Sequence, residues 1–161
     1  MQVAVCGPAD CTDEEANAAF AVGRLLAQRR VIVLCGGGAG VMAATASGAR
    51  SAGGLVVGVR PGNDPGEAAP DLSVVIATNM GEARNAVIVT SAEAVIAVGG
   101  SWGTLSEVAL AIRRARDLPA GSLPVVSLGG WRVCDAGGVP VSGVLEASSP
   151  EHAVALALRD P

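Results

Sequence analysis

Ala94-Val95-Ile96-Ala97-Val98-Gly99-Gly100-Ser101-Trp102-Gly103-Thr104-Leu105-Ser106-Glu107 runs from a β-branched apolar segment through a glycine-rich turn into a helical pattern. Glycines let backbone N–H groups come close to a ligand, and a helix start aims unpaired N–H groups and a positive dipole at it. Glu107 is expected one turn into that helix, beside the place where an anion would bind. A phosphate anchor next to a carboxylate implies a nucleotide site with chemistry in it.

Outward from this stretch the same alternation repeats. Residues 2–6 read as a strand and 13–29 as a helix, opened by Thr12 with Glu15 three residues on. Val31–Cys35 is a second strand, followed by Gly36-Gly37-Gly38-Ala39-Gly40 and a small-residue helix over 40–52. Strands are expected at 55–59, 73–78, 94–98 and 125–128, with helices at 80–91 and 104–117 and a short strand near 144–147. Ser149-Pro150-Glu151 starts a last helix with proline at its first position. Continuous apolar strands alternating with helices predict a single α/β domain over 1–161, with a Rossmann-like, doubly wound, mostly parallel sheet and helices on both faces. Such sheets bind ligands beyond the carboxyl ends of their strands, where both glycine loops fall. Residues 60–71 and 129–143 read as Pro/Gly-rich loops, the first being either a flap over the site or a solvated connection.

Composition narrows the chemistry. Half of the 161 residues are apolar, yet there are one Phe, two Trp and no Tyr, so the core is aliphatic and alanine-rich. A net charge of −4 and the shortage of aromatics argue against a nucleic-acid surface. No apolar run reaches a membrane span, and the start of the chain reads as a strand with no basic leader, so a cytoplasmic protein is expected. Cys6, Cys11, Cys35 and Cys134 form no Cys-x-x-Cys pair and His152 is far from them, so neither a metal site nor a disulfide framework is expected. All eleven basic residues are Arg. Without lysine there is no Schiff base to pyridoxal phosphate and no P-loop lysine, and no resident cofactor is assigned.

Each candidate motif has a structural alternative. Gly38-x-Gly40-x-x-Ala43 is a partial dinucleotide fingerprint or simply tight strand-to-helix packing. Thr104 and Glu107 fit a capping box as well as a catalytic pair, and a first-turn carboxylate is favoured as the anion by the helix dipole. Arg84 offers a planar fork to a phosphate, or pairs at the surface with Glu82 or Glu93. Trp102 stacks on a ring of the ligand or packs against another subunit. Apolar residues on more than one side of the helices near 80–91 and 104–116 imply a homo-oligomer, at least a dimer.

Gly36-Gly37-Gly38-Ala39-Gly40-Val41-Met42, Met80-x-x-x-Arg84-Asn85 and Gly100-Ser101-Trp102-Gly103-Thr104-Leu105-Ser106-Glu107 together resemble the Lonely Guy (LOG) family. These proteins, long mislabelled lysine decarboxylases, are cytokinin riboside 5′-monophosphate phosphoribohydrolases. A shorter branch that includes the molybdenum-cofactor carrier proteins fits better. The resemblance implies Arg84 and Glu107 as catalytic residues. It also implies phosphate or nucleotide contacts from Gly36, Gly37, Gly38, Gly40, Met80, Asn85, Gly100, Ser101, Trp102, Gly103 and Thr104. The implied reaction frees a base and ribose 5-phosphate from a nucleoside 5′-monophosphate. The alternative is a non-catalytic carrier of a phosphorylated ligand such as molybdenum cofactor. The chain departs from the pattern at Asn85 (for Lys), Gly99 (for Pro), Ser101 (for Gly) and Ser106 (often acidic). Met80 stands one residue further from Arg84 than the motif has it.

Overall fold

The computed structural model describes residues 1–160. Seven strands form one sheet: β1 (Gln2–Cys6), β2 (Ile32–Cys35), β3 (Val56–Arg60), β4 (Val74–Ala77), β5 (Ala94–Val98), β6 (Val125–Leu128) and β7 (Leu145–Glu146). Their order is β4-β3-β2-β1-β5-β6-β7, with every pairing parallel. The order reverses between β1 and β5, which opens a crevice at their carboxyl ends. The α/β, doubly wound reading therefore holds, and most expected strands lie within a residue or two of their observed positions.

The helices are α1 (Asp13–Gln28), α2 (Val41–Ser51), α3 (Asn85–Ser91), α4 (Trp102–Ala115) and α5 (Pro150–Leu158). Alternate residues along each strand feed two cores, because successive side chains leave opposite faces of a sheet. Val3, Val5, Val33 and Ile96 pack under α1, α2 and α5. Ala4, Cys6, Leu34, Val95 and Ala97 pack under α3 and α4 with Ile88, Val89 and Ala111. The capping box of α1 forms as read: the Glu15 amide donates to Thr12 Oγ1, and Glu15 accepts from the Thr12 amide.

Three local readings are corrected. The helix expected over 80–91 is a 3-10 turn, Gly81–Arg84, that runs into α3. Loop 60–71 contains a 3-10 turn at Pro65–Glu67, held by the Gly66 amide donating to Asp64 at 2.7 Å. It is tied to the first glycine loop through the Ala69 amide, which donates to the Gly37 carbonyl at 3.0 Å. Finally, α4 begins at Trp102 with Ser101 as its cap, not at Thr104.

The alanine-rich composition has a mechanical basis where α1 crosses α2. A Cβ added to Gly23 would lie 2.1 Å from the Thr45 carbonyl oxygen, and one on Gly48 2.0 Å from that of Phe20. The helix backbones are in contact there, so no side chain fits. Gly48→Ala is expected to lose roughly 1–3 kcal/mol of stability by overpacking, although alanine is the better helix former by roughly 1 kcal/mol. Urea unfolding of the two proteins checks the sign.

Candidate functional site

The chain from Cys6 at the end of β1, the Gly36 turn after β2, the Arg84 turn before α3, and the start of α4 meet at the switch point. They enclose a cleft of about 290 Å³ lined by Cys6, Gly7, Ala9, Gly36, Met42, Glu82, Arg84, Asn85, Ser101, Gly103, Thr104 and Glu107. A cavity of about 340 Å³ lies on the far side of Thr104, under residues 129–147. Its charged lining residues, Arg132 and Glu146, are largely exposed and pair with each other at 3.5 Å. The smaller cleft is the one that encloses buried charge.

Its lip is the start of α4. Ser101 Oγ accepts from the Thr104 amide at 3.2 Å and lies 3.0 Å from Thr104 Oγ1. The first-turn amides of Trp102 and Gly103 have no carbonyl before them in the helix, and together with the dipole they form an anion-binding end. Gly99, at φ +65°, turns the chain sharply out of β5 so that the helix can start within three residues.

Arg84 and Glu107 face each other across the floor. Arg84 Nη1 and Glu107 Oε1 are 3.6 Å apart, with side chains only 11% and 7% exposed. Neither Glu82 nor Glu93 is the partner of Arg84; Glu93 instead accepts from the Gln2 amide at 2.7 Å. The pair is loose. At 3.6 Å it is longer than a good charge-assisted hydrogen bond, and Arg84 Nε is buried with no partner. Removal from water pushes the Glu107 carboxyl up from its ordinary 4.5 to about 7, and Arg84 and the facing Cys6 thiol only partly pull it back. The capping-box reading of Thr104 and Glu107 fails for the same reason as the expectation of a dipole-held anion. Glu107 lies in the second turn of α4, beneath the lip, where burial outweighs the dipole.

Asn85 Nδ2 donates to Ser106 Oγ at 2.8 Å, and Ser106 donates to the Gly103 carbonyl at 2.9 Å. Asn85 Oδ1 is buried without a partner. The two departures from the resembled pattern at 85 and 106 are thus bonded to each other.

Of the residues read from the sequence, Gly36, Arg84, Asn85, Ser101, Gly103, Thr104 and Glu107 share the cleft. The others lie around it. Gly40 caps α2 with its α-carbon against the Pro8 and Ala9 carbonyls, while Gly37 and Gly38 pack beside Arg60. Gly100 backs onto Trp131, and Met80 is half exposed. Trp102, 76% exposed, has its ring 5.0 Å from that of Trp131, whose indole N–H donates to the Ser101 carbonyl at 3.0 Å. Cys6 was missed by sequence reasoning. Its signal was its place at the end of a central strand, which becomes informative only once β1 and β5 are known to be neighbours. Burial also raises its thiol, and that of Cys35 to about 11, so both stay protonated as small apolar groups. Among the described residues no cluster of three or more His, Cys, Asp or Glu is placed to hold a metal ion. No helix among them is long and apolar enough to cross a membrane.

A seven-stranded, doubly wound parallel sheet with helices on both faces and a buried Arg–Glu pair at its switch point defines an α/β domain of the Rossmann-like class. Within that class the chain belongs to the SLOG cluster4 family, whose model matches residues 1–127. An uncharacterized protein of Archaeoglobus fulgidus is 42% identical over 134 residues, covering 83% of this chain and 87% of that one. Among solved structures, the molybdenum cofactor binding protein from the phototrophic bacterium Rippkaea orientalis is 31% identical with a TM-score of 0.84, covering 98% of this chain and 95% of that one. The molybdenum cofactor carrier protein from Chlamydomonas reinhardtii is also 31% identical, with a TM-score of 0.80 and coverage of 98% and 96%.

The raised carboxyl predicts a pH-dependent stability. The folded protein holds the Glu107 proton more tightly than the unfolded chain does. The favourable contribution is therefore complete below pH 4.5 and is lost as pH rises through about 7. Wild type should lose about 3 kcal/mol relative to Glu107→Gln between pH 4.5 and pH 8. Urea unfolding of both proteins at the two pH values checks this, because other titrations cancel in the difference.

Proposed function

We propose that the cleft binds a phosphorylated small molecule and hydrolyses the N-glycosidic bond of a nucleoside 5′-monophosphate. The observation that carries this reading is the buried Glu107 carboxyl, 3.6 Å from Arg84 beneath the start of α4, where removal from water pushes its pKa up. The 5′-phosphate sits on the amides of the α4 lip with the Ser101 and Thr104 hydroxyls, and Arg84 holds the ribose or phosphate from below. Burial lets the Glu107 carboxyl keep its proton to a higher pH than an ordinary carboxylate does, which suits a general acid. It passes that proton to the leaving base as the C1′–N bond breaks and the bonding electrons leave with the base. The carboxylate left behind stabilises the ribosyl oxocarbenium ion and takes a proton from the attacking water. The products are free base and ribose 5-phosphate. Of the two carboxyl groups that line the cleft, Glu82 and Glu107, it is the buried Glu107 that burial keeps protonated, and it takes the role of the acid.

A second reading, a carrier that binds without cleaving, is favoured by the two 31%-identical structures, named as a binding protein and a carrier protein for molybdenum cofactor. It uses the same anion site and leaves Glu107 as a buried partner of Arg84. Incubation with purine and pyrimidine monophosphates, with free base measured by chromatography, separates the two. The wild-type enzyme should release base from at least one of them, and Glu107→Gln should lose that activity by orders of magnitude while keeping its affinity. Binding with no base released from any monophosphate overturns the hydrolase reading and leaves the carrier. Arg84→Ala should weaken binding in either case, by about 1.5–3 kcal/mol.

The protein is further proposed to be a homo-oligomer, a dimer or tetramer that works in the cytoplasm. On the face of the sheet that carries α3 and α4, the two helices cover β1, β5 and β6 and stop short of β4. Val74 and Ile76 there are 51% and 44% exposed. A monomeric mass by light scattering at micromolar concentration would refute the proposal.

A further inference from the structure

Arg60, the last residue of β3, is a largely buried cation that the proposed chemistry leaves unused. Its side chain is 13% exposed, its Nε is buried without a partner, and its ionic contact is a single one: Nη2 to Glu67 at 3.3 Å. Glu67 is itself 81% exposed, on the turn at Pro65–Glu67. A guanidinium removed from water needs more compensation than one solvent-screened carboxylate supplies.

The surroundings of Arg60 show what is missing. The ridge Gly36-Gly37-Gly38 has an arginine at each end. A Cβ on Gly36 would lie 2.8 Å from Arg84 Nη1, and one on Gly38 3.5 Å from Arg60 Nη1. Met42 runs along the ridge between them, its Sδ at 2.6 Å from the Gly36 position and its Cε at 3.0 Å from the Gly38 position. Met42 also lines the cleft, so its flexible thioether is what separates a ligand seated there from Arg60. A side chain on Gly36 would clash with both Met42 and Arg84.

We infer that Arg60, at the Gly38 end of the glycine ridge, forms a second oxyanion subsite, so that the ligand carries two anionic groups, one at the α4 lip with Arg84 and one at Arg60. The inference rests on the proposed reading of the cleft as a phosphate site. A guanidinium presents its N–H groups as a planar fork that matches phosphate oxygens two at a time. In the free protein Glu67 supplies a weak substitute for that anion, and the second oxyanion takes its place on binding. The second oxyanion is either the β-phosphate of a diphosphate or a separate phosphate elsewhere on the nucleotide.

Calorimetric titration with AMP, ADP and adenosine 3′,5′-bisphosphate tests this on wild type, Arg60→Gln, Arg60→Lys and Glu67→Gln at one ionic strength. One of the two probes that carry two phosphates should bind wild type about tenfold more tightly than AMP, as a charge-assisted contact does. A gain with ADP places the second oxyanion on the β-phosphate, and a gain with the bisphosphate places it on the ribose. Arg60→Gln should abolish the gain and leave AMP within about twofold, and Arg60→Lys should keep only part of it. Glu67→Gln, on an exposed side chain, should tighten the two-phosphate probe severalfold and leave AMP unchanged. Equal affinity of all three probes for wild type overturns the inference alone. An Arg60→Gln variant that weakens AMP as much as the two-phosphate probe also overturns it. Failure of every probe to bind wild type overturns the phosphate-site reading itself.

Discussion

The contact between Arg84 and Glu107 is the interaction around which the rest of the molecule is arranged. Two opposite charges kept nearly out of water cost several kcal/mol each, and a poorly fitted pair recovers only part of that. Such a pair lasts only in a frame that cannot relax around it. Arg84 ends a 3-10 turn and Glu107 lies in the second turn of α4, so the geometry depends on how α3 sits against α4. Arg114 fixes that relation from the far end, donating at 2.6 Å to the carbonyls of Val89 and Ala92, where α3 finishes. Cations at a helix C-terminus suit both its unpaired carbonyls and its dipole. At the near end the Asn85–Ser106 bond clamps the same two elements.

That clamp also sets the chemistry. The resembled pattern has a lysine after the arginine and often an acid before the final glutamate; this chain has Asn85 and Ser106. A hydrogen bond between neutral groups replaces a pair that would be charged, and the packing of α3 on α4 is kept. A lysine ammonium at position 85 would favour the carboxylate form of Glu107. Without it, Arg84 and the Cys6 thiol act against desolvation, desolvation prevails, and the carboxyl titrates near neutrality. Asn85 and Ser106, 21 residues apart in the sequence, act as one contact, and neither brings a charge to Glu107.

Much of the fold was legible because its signals are local. The β-branched runs, the Thr12–Glu15 box and Ser149-Pro150 each act within a few residues, and the strands and helices they mark are observed. The start of α4 was misread because two signals compete there. Thr104-x-x-Glu107 matches a capping box better than Ser101 does, but the chain leaves β5 through Gly99 at φ +65°, and the Trp131 indole holds the Ser101 carbonyl. Trp131 lies in a loop 30 residues away, so this fixing is a tertiary effect. The partner of Arg84 was hidden in the same way. Glu82 and Glu93 are near in sequence, whereas Glu107 becomes near only when α3 packs on α4. Cys6 and Arg60 are ordinary strand ends until the order of strands is known.

The shift of one turn in the start of α4 carries the functional consequence. Had Glu107 been the third residue of the helix, its carboxylate would have bonded the cap and stayed an anion at the surface, competing with any phosphate for the same amides. One turn further in, it leaves those amides free and lies under the lip, where its neutral form is favoured. In the proposed complex a bound phosphate adds negative charge nearby, and like charge disfavours the carboxylate still further. Ligand binding and proton retention then favour each other. In the proposed reaction the phosphate at the helix start keeps the proton on Glu107, so that the acid is loaded when there is a leaving base to receive it.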